Sequence, residues 1–254
     1  MYKKIIVFII VMGMLGTFYY TQFRDNVVKS DVVFSYRDDF DELDREFWYL
    51  GEWQTMDSVY DEVDIKNGIL TLEVTETDRG PFLLSKPFSI SSGDVLTIKR
   101  RVKIHYSNNN FTGGFAITQT DETDVKPIFN DYNWARSIGQ ATMLVEYVHN
   151  YNEDMTRPGR DLFRVLPPTW DSDDNYAVVE PIFDDWFEEE IVYDTRSNKI
   201  SYTINGKEFK VNGLEIDKPN LRLFMHSYGW YTGHYVKIDW IEIKIEDKRH
   251  RTNK

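Results

Sequence analysis

The sequence contains no cysteine. That absence excludes a disulfide framework, a thiol nucleophile, a thiolate metal site and a lipid-modified cysteine. Several signatures of common chemistries are also missing: His-Glu-x-x-His for zinc, a Gly-x-Ser-x-Gly elbow for a serine nucleophile, and a glycine-rich phosphate loop. The five histidines, His105, His149, His226, His234 and His250, are scattered. Positive charge is scarce, with 30 basic residues against 42 acidic ones and a formal net charge of −12. The first 24 residues hold three of the bases and none of the acids, so the remainder is more acidic still. Such a surface is a poor partner for a phosphate polymer, which argues against nucleic-acid binding.

One long hydrophobic run is present, at the N-terminus. Lys3 and Lys4 precede nineteen uncharged residues, Ile5 to Phe23, before Arg24 and Asp25. At about 1.5 Å per residue these form roughly 28 Å of helix, close to the hydrocarbon thickness of a bilayer. Gly13, Gly16 and Thr17 make no small-residue cleavage pair, and bulky Phe18, Tyr19 and Tyr20 follow. The segment is therefore read as a retained signal anchor, single-pass at the cell membrane, with its lysines inside and the C-terminal domain outside. Secretion after signal cleavage is the alternative.

Beyond a short polar stalk, no helical stripe, internal repeat or Gly/Ser-rich linker divides the chain. Short alternating apolar runs bounded by Asn, Asp, Gly, Ser and Pro predict strands instead. They fall at 69–74, 95–105, 114–120, 141–149, 187–193, 199–204, 207–211, 221–225 and 235–245. Asn205-Gly206 predicts a type I′ hairpin that pairs Ile204 with Lys207, Tyr202 with Phe209 and Ile200 with Val211. The stretch from Asn150 to Asp185, dense in charge, Pro and aromatics, reads as long loops over a site.

Three pieces in order carry a resemblance: Asp38-Asp39-Phe40-Asp41 with Trp48 and Trp53, then Asn67-Gly68-Ile69-Leu70-Thr71-Leu72, then Ile238-Asp239-Trp240-Ile241. Together they resemble the concanavalin A-like lectin/glucanase superfamily, which includes laminarinase-type hydrolases and non-catalytic laminin-G-like jelly rolls. The resemblance implies an all-β, two-sheet antiparallel jelly-roll sandwich over residues 38–246, with first and last strands adjacent and a concave face for sugar chains. Around it lie the anchor (1–23), a stalk and lead-in (24–37) and a polar C-terminal tail (247–254). It also implies one structural Ca2+ near the termini, at positions matching Asp41, Gly68 and Asp239. Calcium takes hard oxygen ligands, which carboxylates and backbone carbonyls supply. Trp240 and Trp53 stand where the family buries aromatics.

The hydrolases of this family place nucleophile and acid on one strand as Glu-x-Asp-x-Glu, because alternate residues share a face and retaining cleavage needs carboxyls about 5 Å apart. No such run exists here. The strand 141–149 offers only Glu146, flanked on its face by Leu144 and Val148. Glu188, Glu189 and Glu190 read as a solvated acidic edge. A lyase-type set would use His149, Tyr147, His105 and Arg101. Glu146, His149 and Arg101 are the weak catalytic candidates that remain.

Binding is the better-supported chemistry. Aromatic residues make up 15% of the chain, and sugar rings stack their apolar faces on Trp and Tyr. The ligand-binding candidates are Tyr228, Trp230 and Tyr231, in the aromatic cluster His226–His234 ahead of the last strand, with Trp134 and Trp170 in other loops. The resulting expectation is a membrane-tethered, extracytoplasmic, lectin-like module that binds a polysaccharide or cell-envelope glycan without catalysis. A carbohydrate-active enzyme with a divergent site and a structural or protein-interaction domain of the envelope are the alternatives.

Overall fold

Alternation of apolar and polar residues turns the chain into sixteen strands among the described residues of the computed structural model, which are 31–52, 63–76, 80–106, 111–120, 141–151, 160–166, 177–212, 217–229 and 232–248. The anchor segment, Trp53, and the loop candidates Trp134, Trp170, Trp230 and Tyr231 lie outside those residues. No helix occurs within them.

The strands form two antiparallel sheets. Sheet A runs in the order β14 (Lys207–Asn212), β13 (Lys199–Ile204), β12 (Trp186–Asp194), β7 (Asp94–His105), β16 (Tyr235–Asp247), β4 (Ile69–Glu73), β3 (Asp64–Lys66), with β1 (Asp31–Asp38) also paired to β16. Sheet B runs in the order β11 (Ala177–Val179), β10 (Arg160–Leu166), β9 (Ala141–Tyr151), β8 (Phe111–Thr120), β15 (Asn220–Gly229), β5 (Pro81–Ser85), β2 (Trp48–Glu52), with β6 (Phe88–Ser89) beside β15. First and last strands are neighbours, as the resemblance implies.

The two sheets bury one core. Leu96, Ile98, Val102 and Ile104 of β7, together with Ile238, Ile241 and Ile243 of β16, meet Phe115 and Ile117 of β8 and Leu221, Leu223 and Met225 of β15. The Asn205-Gly206 hairpin has positive φ at both residues (44° and 79°), and its three cross-strand pairs are those predicted. Asn67-Gly68 makes a second such turn between β3 and β4, with φ of 56° and 71°.

Beyond the nine expected strands the described residues hold seven more, β1, β2, β3, β5, β6, β10 and β11. The lead-in contributes a strand, since β1 begins at Asp31 and pairs along β16 as far as Asp38–Ile241. The stretch 150–185, expected as loops, holds β10 and β11, which extend sheet B beyond β9. Charge and proline density masked the short alternations that form them.

The Asp-Asp-Phe motif folds for a local reason. Asp38, buried at the end of β1, accepts hydrogen bonds from the Phe40 amide (2.8 Å), Trp48 Nε1 (2.8 Å) and the Tyr36 hydroxyl (2.9 Å). Phe40 takes a positive φ of 51° and is fully buried. One carboxylate thus ties the chain start to the first strand of sheet B.

Candidate functional site

The catalytic candidates do not converge. Glu146 and His149 belong to β9 in sheet B, whereas Arg101 lies on the outer face of sheet A, where its Nη1 donates to Asp239 Oδ2 (2.6 Å). The packed core separates them. His105 also stays on sheet A, with Nδ1 2.5 Å from Asp184 and its ring stacked on Tyr235. In register, Glu146 opposes Gly114, which opposes His226, which opposes Phe82, which opposes Gly51. The centre of this row is buried: Phe82 and His226 both pack against Phe224, two residues before His226 on β15 (5.1 and 5.3 Å). Burial and the nearby Arg100 charge push His226 down to about 3, so its imidazole is neutral at physiological pH.

Tyr147 points inward, not toward a cleft. Its hydroxyl donates to Glu189 (2.7 Å), as does that of Tyr202 (2.7 Å), and Glu189 is ion-paired with Arg100. Arg100 also donates to the Tyr147 oxygen (2.6 Å) and lies 3.9 Å over the Phe115 ring. Burial and the Glu189 charge push Tyr202 well up; Tyr147 is raised too, chiefly by burial. Glu189 is therefore a buried, committed carboxylate. The acidic triplet is not an edge: β12 sits between β7 and β13, and alternation sends Glu189 into the core while Glu188 and Glu190 face out.

The outer face of sheet A carries a groove of about 500 Å³ lined by Lys99, Arg101, Trp186, Glu188, Glu190 and Trp240, with Thr203, Asn205 and Gly206 also at its wall. Trp240, expected in the core, is half-buried here. The register shifts between Ile238 and Trp240, so one extra residue, Asp239, lets Ile238 and Ile241 both face the core while Trp240 turns out. Arg37 lies 5.0 Å over the Trp240 ring and Arg101 5.1 Å over Trp186. Strict alternation could not find this face; two outward-facing positions occupied by Trp in β12 and β16 were its only sequence signal.

Of the three calcium candidates, Gly68 and Asp41 lie close together near that bulge, while the Asp239 carboxylate is paired with Arg101 (2.6 Å). Strand β16 pairs with β4 up to Ile238–Leu70 and with β1 from Asp38–Ile241, so Asp239 sits where the Asn67-Gly68 turn and the Asp39–Asp41 segment arrive. A Cβ on Gly68 would lie 3.4 Å from the Asp39 carbonyl oxygen and 3.9 Å from Asp41 Oδ1. These are hard oxygen donors of the type calcium takes. Among the described residues no three acidic or histidine side chains gather as a metal-binding group, so backbone oxygens would have to complete the set.

The aromatic cluster is only partly a loop. His226 to Gly229 belong to β15, Tyr228 pairs with Thr112, and His226, Ser227 and His234 are buried. The strand runs further than its apolar residues suggested because β8 pairs with it along its whole length.

This two-sheet arrangement is found in solved structures. Peanut lectin superposes with a TM-score of 0.60 at 11% identity, covering 85% of this chain and 98% of that one. The fold is that of the concanavalin A-like lectins and glucanases. A Bauhinia forficata lectin in complex with GalNAc matches this fold with a TM-score of 0.59 at 12% identity, covering 86% of this chain and 100% of its own. An endo-1,3-beta-glucanase from Streptomyces sioyaensis matches with 0.57 at 11% identity, over 86% and 97%. No family model and no curated protein sequence matches the chain.

Proposed function

We propose that this chain is a non-catalytic glycan-binding module, held outside the cell membrane by the apolar segment 5–23. The observation that carries the reading is the combination of a concanavalin A-like sandwich with a β9 strand that bears one carboxylate. Retaining hydrolysis needs two carboxyls about 5 Å apart, and Glu146 has Leu144 and Val148 as its alternate-residue neighbours in the sequence. Glu189 is tied up by Arg100, Tyr147 and Tyr202 inside the core. The lectin-rich set of similar structures supports sugar binding in the same direction.

A structural Ca2+ fits this reading. Asp41 and the carbonyl oxygens at Asp39 and Gly68 would hold it, with Asp239, whose Oδ2 accepts from Arg101, supplying its other oxygen, and its charge would tie β1, the β3–β4 turn and β16 together.

The test is a screen of the full chain in detergent micelles against plant, algal and bacterial polysaccharides, with calcium or chelator, followed by product analysis of each ligand. Binding with intact ligand is expected. Release of shortened or unsaturated sugars, or no binding to any polysaccharide, overturns the proposal.

A further inference from the structure

We infer that the groove on the outer face of sheet A is a glycan site, separate from the concave face that the resemblance implies, and that it takes an uncharged oligosaccharide. This rests on the glycan-binding reading above and adds a place and a ligand class to it.

The outer face of a two-sheet sandwich ordinarily carries polar side chains, with large aromatics turned inward. Here two tryptophans from non-adjacent strands are turned outward on either side of β7. Each indole is braced by a guanidinium, Arg37 on Trp240 and Arg101 on Trp186, and the groove between them still measures about 500 Å³. Two strand spacings, roughly 10 Å, separate the backbones that carry them, and their partners on β7, Lys103 and Arg101, are two residues apart. That spacing is wider than one pyranose, so the pair grips a chain better than a monosaccharide.

The charges select against ionic sugars. Lys99 Nζ is 3.1 Å from Glu190 and Arg101 Nη1 is 2.6 Å from Asp239, so both cations already have acid partners. Glu188 adds a further carboxylate. Among the residues that line the groove, carboxylates are not outnumbered by cations, so no positive excess there holds a uronate or sulfate. The paired ions offer donors and acceptors that hydroxyl groups satisfy, while the indoles take the apolar C–H faces.

Tryptophan fluorescence of the full chain in micelles, titrated with glucose, mannose, xylose and N-acetylglucosamine hexaoses, tests the assignment. Oligogalacturonate and glucosamine oligomers serve as charged comparisons. One or more neutral hexaoses should bind, more tightly than the monosaccharide. Trp186→Ala or Trp240→Ala should weaken binding about tenfold, the loss of one good aromatic contact, with Phe at either position restoring most of it. Thr203→Trp, which fills the groove without touching the core, should block binding and keeps the test sound if an alanine variant fails to fold. Neutral binding that survives all of these changes overturns the groove assignment while glycan binding stands. Binding of the charged oligomers alone also overturns it. No sugar binding at all removes the underlying function and this inference with it.

Discussion

Glu189 and Arg100 form an ion pair within the sandwich core, each about 1% exposed at the side chain. Taking both charges out of water is offset only while the pair is intact and its remaining valences are filled, here by Tyr147 and Tyr202. Glu189→Gln leaves a buried guanidinium without its counter-charge and should cost about 3–5 kcal/mol in urea unfolding. Tyr202→Phe removes one hydrogen bond to a charged group and should cost about 1.5–3 kcal/mol. His226 gives a pH signature. The folded protein keeps it neutral down to about 3, whereas an unfolded histidine takes a proton near 6.5. Between those values the unfolded state binds more protons, so stability falls as the pH is lowered, by about 1.4 kcal/mol per unit from this residue. Above 6.5 the contribution vanishes. Urea midpoints measured from pH 7 to pH 4 should therefore decline less steeply in His226→Phe than in the native chain.

At the scale of elements, two glycines separate two physical causes. Gly206 has φ of 79° with nothing within 4 Å of a built Cβ, so Gly206→Ala costs only the left-handed conformation, about 1 kcal/mol. Gly51 in β2 has no such φ, but a Cβ there would come 2.2 Å from the Phe82 ring. Gly51→Ala should cost about 1–3 kcal/mol through overpacking. Combining it with Phe82→Leu should give less than the sum of the two single losses, a coupling that thermal or urea denaturation of the four proteins reads directly. The Asn205-Gly206 turn and the long central strands were legible in the sequence, since turn chemistry and period-two alternation are local. The short strands β10 and β11 were not, because their charge-rich residues find a place only beside β9.

For the whole molecule, the bulge at Asp239 links chain start, β3–β4 turn and last strand at one corner. If calcium is bound there by Asp41, Asp239 and the neighbouring carbonyls, millimolar Ca2+ should raise the melting temperature over a chelated sample. Asp239→Asn should then abolish most of that difference; equal melting with and without chelator in the native chain would rule the ion out. The anchor acts on the same scale. Deleting residues 1–30 should release the protein from the membrane fraction without changing glycan affinity, measured by fractionation and by the fluorescence titration above.

By itself the sequence determined nine of the sixteen strands, the register of the β13–β14 hairpin, the sandwich class and the lack of a paired carboxylate run on β9. Each depends on neighbours in the chain or on residue types at fixed spacing. Only the tertiary structure decided which side of each strand meets the other sheet. That choice placed Glu189 inside and Arg101 outside, and the topology put Arg101 and the strand of Glu146 and His149 in different sheets. The inserted residue at Asp239 reversed the alternation of β16 midway and turned Trp240 from the expected core to the surface. A period of two defines faces only relative to one another, and a single bulge, invisible in the alternation that precedes it, exchanges them.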